Sequence, residues 1–559
     1  MLGTFLGLQT SLRGLMADQA VIETVAHNID NANTPGYSRQ RVNLTAATAL
    51  EVPGLRSAAP GQIGTGVQIQ QITRLRDSYL DEQYRQQNTY LGEWTAEQGT
   101  LDKISAIINE PSDTGLSSVM QQFWNDWSKL GSNPSDLATR TLVLQDGQTV
   151  AQTLNQMAQQ FQDLNSDLSA SLTANVAQAN QDLVRIAQLN RQITSVYNVG
   201  EEPNDLLDQR DLLVDQLSNL ADVSIDNANG HYTVTIGGQV VVKDDEVLNV
   251  FSVNGVAPGT DGLEQTTSPN TVDVSTITGG QIAGIQKSMV LTNQYKSELD
   301  GFASGLANGP MTIQLAGDWT LPQSGNLPVP VTMPDGTSYK AGVPVSSLTL
   351  NGQPLSTETL SDGTVMAVIP QGTSVTVNGL NGLLALGYSP TGTGVPFFTA
   401  AGGGSIMAAN IQVGLDVNQI AVGLTVNPSS TGASLTAKAG DGTLAITIST
   451  MKDATMTFDD FTAGGTGSSQ GAATMNGTLS EFLQSVVSGL GIQSQTADQQ
   501  VSNQQSLVSQ IDQQRQSVSG VSIDEELTNM IQYQQAYSAS ARMISTINQM
   551  LDTIINLGR

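Results

Sequence analysis

Met1-Leu2-Gly3-Thr4-Phe5-Leu6-Gly7-Leu8-Gln9-Thr10-Ser11-Leu12-Arg13-Gly14-Leu15 opens the chain, and Ile544-Ser545-Thr546-Ile547-Asn548-Gln549-Met550-Leu551 stands close to its end. Read onward from the start, Met1, Leu8, Leu15, Ile22 and Ile29 recur every seven residues, with Phe5, Leu12 and Ala26 four places after members of that series. Near the end, Ile523, Met530, Tyr537, Ile544 and Leu551 repeat the spacing, with Leu527, Ala541 and Ile555 on the companion seam. Heptad spacing of apolar residues is the seam of a coiled coil. A chain whose two ends both seek helical partners reads as a building block rather than a catalyst.

Inward from the first helix, Asn31-Ala32-Asn33-Thr34-Pro35-Gly36-Tyr37 stops it, because Asn, Pro and Gly favour turns and resist the helix. Residues 38–75 are expected to be extended. They contain Pro53-Gly54, Pro60-Gly61 and Gly64-Thr65-Gly66, then the alternation Val67, Ile69, Gln71, Thr73 of a strand. From Arg76 to Leu220 the texture is helical. Leu154, Met157, Phe161, Leu164 and Leu168 share a stripe that resumes four residues later as Leu172, Val176, Ala179, Leu183, Ile186, Ile193 and Tyr197. That step is a stutter, which locally unwinds a supercoil. Pro203 suits the start of a further helix.

At Ala221 the pattern changes. Val223-Ser224-Ile225 and Tyr232 to Ile236 flank Asn229-Gly230, a hairpin signal, and Val240-Val241-Val242 extends it into a small meander. Residues 280–308 return to helix. In residues 310–455 turn signals recur at Pro334-Asp335-Gly336, Asn351-Gly352, Ser361-Asp362-Gly363, Asn378-Gly379 and Gly440-Asp441-Gly442, with short strand-like runs between them. This predicts an inserted all-β domain of sandwich or barrel type, with helix again at 479–517. The expected fold class is therefore multidomain α+β: terminal coiled-coil helices, a long-helix bundle with a small β meander, and the β insert. The expected division is 1–38 plus 520–559, 39–309 plus 456–519, and 310–455.

The 559 residues carry 22 Lys+Arg against 50 Asp+Glu, a net charge of −28. Such a surface repels phosphate backbones and anionic headgroups, so no nucleic acid and no membrane is expected as a partner. No cysteine is present, which removes disulfides, thiolate metal sites and thiol catalysis. The first residues lack a basic n-region and a small-residue cleavage site, so no cleaved secretory signal is expected.

Catalytic patterns are thin. His27 and His231 have no convergent partners at ligand or triad spacing. The acid pairs Glu201-Glu202, Asp244-Asp245, Asp459-Asp460 and Glu525-Glu526 read as solvated faces rather than glycosidase carboxylates. Gly402-Gly403-Gly404-Ser405 lacks the Lys-Ser/Thr ending of a phosphate loop and reads as a flexible link. Trp124 and Trp127, near Phe123, read as core rather than as partner anchors. No enzyme, cofactor, metal or small-molecule substrate is expected.

One motif carries a resemblance. Asn28-Ile29-Asp30-Asn31-Ala32-Asn33-Thr34-Pro35-Gly36-Tyr37-Ser38-Arg39-Gln40 resembles the N-terminal signature of the bacterial flagellar rod and hook axial proteins. Gly64-Thr65-Gly66-Val67, with Ile72, Arg74, Asp77 and Leu80, is similar to that family's next block. Ser519 to Leu527, followed by Tyr533-Gln534-Gln535-Ala536-Tyr537 and Ala541-Arg542-Met543, resembles its closing helix. Pro203-Asn204-Asp205-Leu206-Leu207-Asp208-Gln209-Arg210-Asp211 is similar to the hook–filament junction members. His27 departs from the more usual Asn, and residues 310–455 match no motif.

The resemblance implies a secreted structural protein of the flagellum, extracellular, exported by the flagellar type III system. It implies a homo-oligomeric ring between the hook protein and a second junction protein, and an export chaperone at the C-terminal helix. The expected subunit-interface residues are Leu8, Leu12, Leu15, Ile22, Ile29, Ile523, Leu527, Met530, Tyr537, Ile544 and Leu551. Asn33, Pro35, Gly36 and Tyr37 form the expected joint between inner tube and outer body. From the residues alone, a plain helix stop reads equally well there; the resemblance favours the joint. The burial available to two helices alone is marginal against the entropy of ordering them, so the ends are expected to be disordered until they dock. The alternatives are a hook or distal rod component, or a secreted β-rich adhesin or carbohydrate-acting enzyme resting on residues 310–455.

Overall fold

The computed structural model describes residues 2–49, 64–227, 231–259, 269–427, 435–458 and 475–557. Pro53-Gly54, Pro60-Gly61, Asn229-Gly230 and Asp459-Asp460 lie outside the described residues, as do the side chains of Phe5 and Ile555. The chain divides into two compact units. One comprises Met1–Ala96, Ser171–Gln286 and Gln499–Arg559, the other Glu97–Ala170 and Lys287–Asp498.

Ten helices lie in the described residues: α1 (Leu2–Asp30), α2 (Ser78–Ile108), α3 (Leu116–Ser132), α4 (Leu137–Asn198), α5 (Asn204–Leu220), α6 (Gly280–Asn308), α7 (Gly379–Leu386), α8 (Thr443–Ser449), α9 (Leu479–Ser519) and α10 (Ile523–Leu557). The longest, α4, has 62 residues. Its stripe from Leu154 to Ile193 is buried throughout, and only Tyr197 is exposed. The stutter between Leu168 and Leu172 coincides with the division at Ala170 and Ser171, so each half of the stripe faces the core of its own unit.

In the first unit, β1 (Gln40–Ala46) and β2 (Val67–Arg74) form an antiparallel ribbon in register Gln40 with Arg74, bulged between Asn43 and Leu44. β3 (Val223–Asp226), β4 (Thr233–Ile236), β5 (Gln239–Lys243) and β6 (Glu246–Val247) make the expected meander, in sequence order. Two strands not foreseen, Asn249–Ser252 and Asn270–Asp273, pair in parallel.

α1 and α10 pack antiparallel. The Cα–Cβ direction of Gly7 points at Ile547 and that of Gly14 at Ser540, with contacts of 3.5 and 3.6 Å for an added Cβ. Asn28 reaches Glu526, and Val21 and Tyr533 line one crevice. The column that meets is thus Gly7, Gly14, Val21, Asn28 against Ile547, Ser540, Tyr533, Glu526. Its period is seven, one residue out of step with the apolar series on α1 and three out of step with that on α10. Small residues let the two backbones approach, and the larger neighbours flank the contact. The expectation of ends without structure before docking is not what the single chain shows: both helices are formed and paired.

In the second unit, six strands form an antiparallel sheet in the order Ser338–Tyr339, Val331–Thr332, Ser374–Asn378, Pro310–Gln314, Met456–Phe458, Met475–Gly477. Trp319–Pro322, Val365–Ile369 and Ser356–Thr359 form a second, with Val365–Ile369 in the middle. The described strands do not close into a barrel. The turn signals at 334–336, 351–352 and 361–363 do join adjacent strands. The other two do not. Asn378-Gly379 leads from a strand into α7, where Leu380, Leu383 and Leu384 take helical spacing and are fully buried. Gly379 has φ +56, and a Cβ there would lie 2.5 Å from the Ala307 backbone. Asp441, just before the cap residue Gly442 of α8, accepts from the Thr443 N–H at 3.0 Å. Trp124 and Trp127 are core: Phe123, Phe397 and Phe398 surround them with ring centroids 4.9–6.3 Å apart.

Candidate assembly site at the joint of the terminal helices

The turn after α1 is closed by its own backbone: Thr34 N–H donates to Asn31 C=O at 2.9 Å and Tyr37 N–H to Thr34 C=O at 3.2 Å. Gly36 has φ +80, the left-handed region that a Cβ disfavours. A Cβ would also come within 3.0 Å of the Leu212 side chain on α5. Asn33 and Pro35 are exposed, whereas Tyr37 is half-buried and folds back on α1. Its hydroxyl donates to Asn28 Oδ1 at 2.8 Å and sits 3.2 Å from His27 Nδ1. Burial, then the charges of Asp205, Asp208 and Glu526, push the Tyr37 phenol well above its ordinary range, so it stays a donor.

Asn28 is the hub. Its amide nitrogen donates to Gln40 C=O at 2.9 Å and Glu526 Oε2 at 3.2 Å. Its oxygen accepts from Tyr37 and, at 2.9 Å, from Gln40 N–H. One side chain therefore fixes α1, the turn, β1 and α10 with every hydrogen-bonding position of its amide occupied. Asn28→Ala leaves a buried carboxylate, hydroxyl and peptide group short of partners, at about 1–3 kcal/mol each. The expected result is an earlier urea midpoint and fast amide exchange along α1. Unchanged exchange there would show that Asn28 does not hold the helix.

Around this hub lies a charge network. Arg39 Nε reaches Glu526 Oε1 at 2.7 Å and its Nη1 reaches Glu525 at 2.8 Å. Arg74 meets Asp208 at 2.6 Å and Asp211 at 3.0 Å. Arg76 meets Asp81 at 2.6 Å, Arg85 meets Asp215 at 2.6 Å, and Arg515 meets Asp215 at 2.6 Å and Asp81 at 2.9 Å. Asp208 also accepts the Ser38 N–H at 2.9 Å. Burial works against the charge of Asp211, yet Arg76, Arg74, Arg210 and Arg85 hold its carboxyl below the usual range. For Asp208 burial wins over Arg74 and raises it. Burial opposes the Arg76 charge as well, and Asp211, Asp81 and Asp215 overcome it. Five of the chain's 22 basic residues converge here and tie the β1–β2 ribbon, α2, α5, α9 and α10 together.

The sequence reading assigned none of these arginines or aspartates a role. A signal was present: Asp208, Asp211 and Asp215 stand at i, i+3 and i+7, one face of a helix. The two histidines are structural in setting, His27 3.5 Å from Asp205 and His231 2.7 Å from Asp244. Among the described residues no three His, Cys, Asp or Glu side chains are grouped to hold a metal ion, and no helix is long and apolar enough to cross a membrane.

Of the residues expected at the subunit interface, Leu8, Leu15, Ile22, Ile29, Met530, Tyr537, Ile544 and Leu551 are half-buried beside the α1–α10 contact. Leu12, Ile523 and Leu527 are turned away from it, 43–45% exposed. Met16, Ile531, Met543 and Met550 are exposed as well.

Comparison with known proteins converges on one family. Residues 101–318 match the model of the flagellar hook-associated protein FlgK helical domain, residues 512–557 the flagellar basal body rod FlgEFG protein C-terminal model, and residues 8–37 the flagella basal body rod protein model. Flagellar hook-associated protein 1 of Bacillus subtilis (strain 168) is 31% identical over 569 aligned positions, covering 100% of this chain and 99% of that protein. The chain belongs to the flagellar hook-associated protein 1 family. The Escherichia coli (strain K12) member is 25% identical and that of Salmonella typhimurium 24%, each over 98% of this chain and 99% of the relative. The flagellar hook junction protein FlgK from Burkholderia pseudomallei aligns at 18% identity with a TM-score of 0.43, over 78% of this chain and 100% of that one. As a hook-associated protein 1 family member, the chain is a structural component of the flagellar hook–filament junction. It assembles with other flagellar components.

Proposed function

We propose that copies of this chain form a closed ring outside the cell, seated on the hook protein and carrying a second junction protein, and that the chain acts mechanically and not as a catalyst. The observation that carries this reading is the set of large apolar side chains left exposed on the terminal helix pair, Leu12 and Met16 on α1 and Ile523, Leu527, Ile531, Met543 and Met550 on α10. Large apolar side chains left exposed together on a helix pair mark an interaction surface. Segments 1–38 and 520–559 form the inner tube, residues 39–309 with 456–519 the helical body, and 310–455 an outer domain. Leu8, Leu15, Ile22, Ile29, Met530, Tyr537, Ile544 and Leu551 steady the pair from within, while Asn33, Pro35, Gly36 and Tyr37 form the joint to the body. Before export through the flagellar type III channel, a chaperone covers the C-terminal helix, since helix-in-groove binding uses the same apolar anchors.

The chain's lack of cysteine makes the reading directly testable. Leu12→Cys and Leu527→Cys are expected to react quickly with a thiol reagent in the free chain and to be protected in purified flagella. Gold-labelled antibody against the chain is expected at the boundary of hook and filament. Label along the hook or at the rod would favour the other axial components, and equal thiol reactivity in both states would remove the proposed interface.

A further inference from the structure

The corner between α3 and α4 holds an arrangement that neither the joint nor the open helix face uses. Asp126 on α3 is 1% exposed. Its Oδ1 accepts Lys129 Nζ at 2.6 Å and its Oδ2 accepts Gln122 Nε2 at 3.2 Å. The Asp146 carboxyl on α4 lies in hydrogen-bonding contact with it, and Asp146 Oδ2 is buried with no donor. Aromatic rings close the corner. Trp127, next to Asp126, packs 5.8 Å from Phe397, and a Cβ on Gly147, next to Asp146, would come within 2.3 Å of that ring. Two carboxyl groups in contact away from water cannot both be ionised, so one keeps a proton.

We propose that Asp126 and Asp146 share a single proton and so form a pH-sensitive latch between α3 and α4, closed in mildly acid solution and loosened above neutrality. Lys129, on α3, is the cation that acts on both acids. On α4, Arg140 is taken up by the carbonyls of Pro134 and Ile420. α8, which packs on α3, has no titratable side chain between Thr443 and Ser449.

The direction follows from linkage. Burial, then the hydrogen bond and charge of Asp126, push Asp146 up to about 7. An unfolded chain releases that proton near the ordinary aspartate value of about 3.9. The stabilisation is therefore complete below the unfolded value and is lost as pH rises through the folded one. Asp126 is lowered, since its hydrogen bonds outweigh burial, so its contribution runs the other way and is lost only in stronger acid.

Thermal unfolding of the full chain at pH 6 and pH 8, followed by tryptophan fluorescence, tests this. Trp124, Trp127 and Trp319 lie in the second unit, so the signal reports mainly on it. The natural chain is expected to melt roughly 2–4 °C lower at pH 8. Asp146→Asn, whose amide keeps a hydrogen bond with no proton to lose, is expected to match the natural chain at pH 6 and to lose a clear part of the difference, the buried Glu298, also pushed up to about 7, keeping the rest. An identical pH difference in both proteins overturns the latch. Should the variant not fold, infrared spectra of a chain carrying 13C-labelled aspartate with Asp18→Asn, Asp182→Asn and Asp208→Asn, which silence the other raised aspartates, decide the matter. A protonated aspartate carbonyl band present at pH 6 and gone at pH 8 supports the latch, and its absence at pH 6 overturns it.

Discussion

Replacing Asp215 by alanine is expected to destabilise the first unit by roughly 3–5 kcal/mol, the range for removing one partner from a buried ion pair. Asp215 accepts from Arg85 and Arg515, each at 2.6 Å, and lies 3.8 Å from Arg76. Without it, three guanidinium groups face one another. Asp81 still holds Arg76 and Arg515, but Arg85 keeps only a contact of 3.8 Å to Asp211. The loss arises less from the attraction removed than from positive charge left buried without compensation. Its size is a large share of the roughly 5–15 kcal/mol that holds a domain folded. Urea unfolding followed by far-UV circular dichroism measures it, with Arg191→Ala as the comparison. Arg191 pairs with Asp245 at 3.2 Å, both side chains well exposed, and such pairs contribute at most about 1 kcal/mol. A similar midpoint for the two variants would mean the network does not clamp the joint. Asp215→Asn, which keeps the shape and a hydrogen-bond acceptor, is expected to fall between them.

Contrast between these two ion pairs shows where sequence reading has power. Periodicity reports on one element at a time. The long stripe of α4 and its stutter, the turns at 334–336 and 351–352, and the stop at Asn31 to Tyr37 each express a local preference, and the structure carries them all. The Asp215 cluster is assembled from residues 76, 81, 85 and 515, separated by up to hundreds of positions. Arg76, Asp81 and Arg85 share one window, but Asp215 and Arg515, which complete the cluster, lie far along the chain, so a local reading finds only scattered polar residues. The same reason explains Asn378-Gly379 and Gly440-Asp441-Gly442. The residues ask for a turn, but whether the next run is strand or helix depends on what it packs against. At the terminal helices the period of seven was legible, yet the contact follows Gly7, Gly14, Val21 and Asn28, because close approach of two backbones rewards small residues that a search for apolar ones passes over.

The joint and the open helix face therefore answer to different forces, and a single truncation separates them. Ending the chain after Tyr537 is expected to leave the body folded and to abolish incorporation into the flagellum. Glu525 and Glu526 remain, so Arg39 and Asn28 keep their partners and α10 still starts at the joint. What disappears is the segment with Ser540 and Ile547, which faces Gly14 and Gly7. The first turns of α1 then lose their intramolecular support and fray. The exposed apolar side chains removed are Met543 and Met550. At about 1.5–3 kcal/mol for each side chain buried against a neighbour, their loss withholds roughly 5 kcal/mol from every subunit contact they would enter. Isolated subunits do not make that contact, so beyond the fraying of α1 their stability changes little, while the proposed ring, which needs it at every position, does not close. The truncated protein is expected in the culture medium rather than on purified flagella, in cells that no longer swim. If the proposed export chaperone binds these residues, secretion slows as well, which pulse-labelled export would report. Normal motility would place the assembly contacts elsewhere on the chain. Non-motile cells carrying normal amounts of the truncated protein at the junction would show instead that this helix transmits load but does not build the ring.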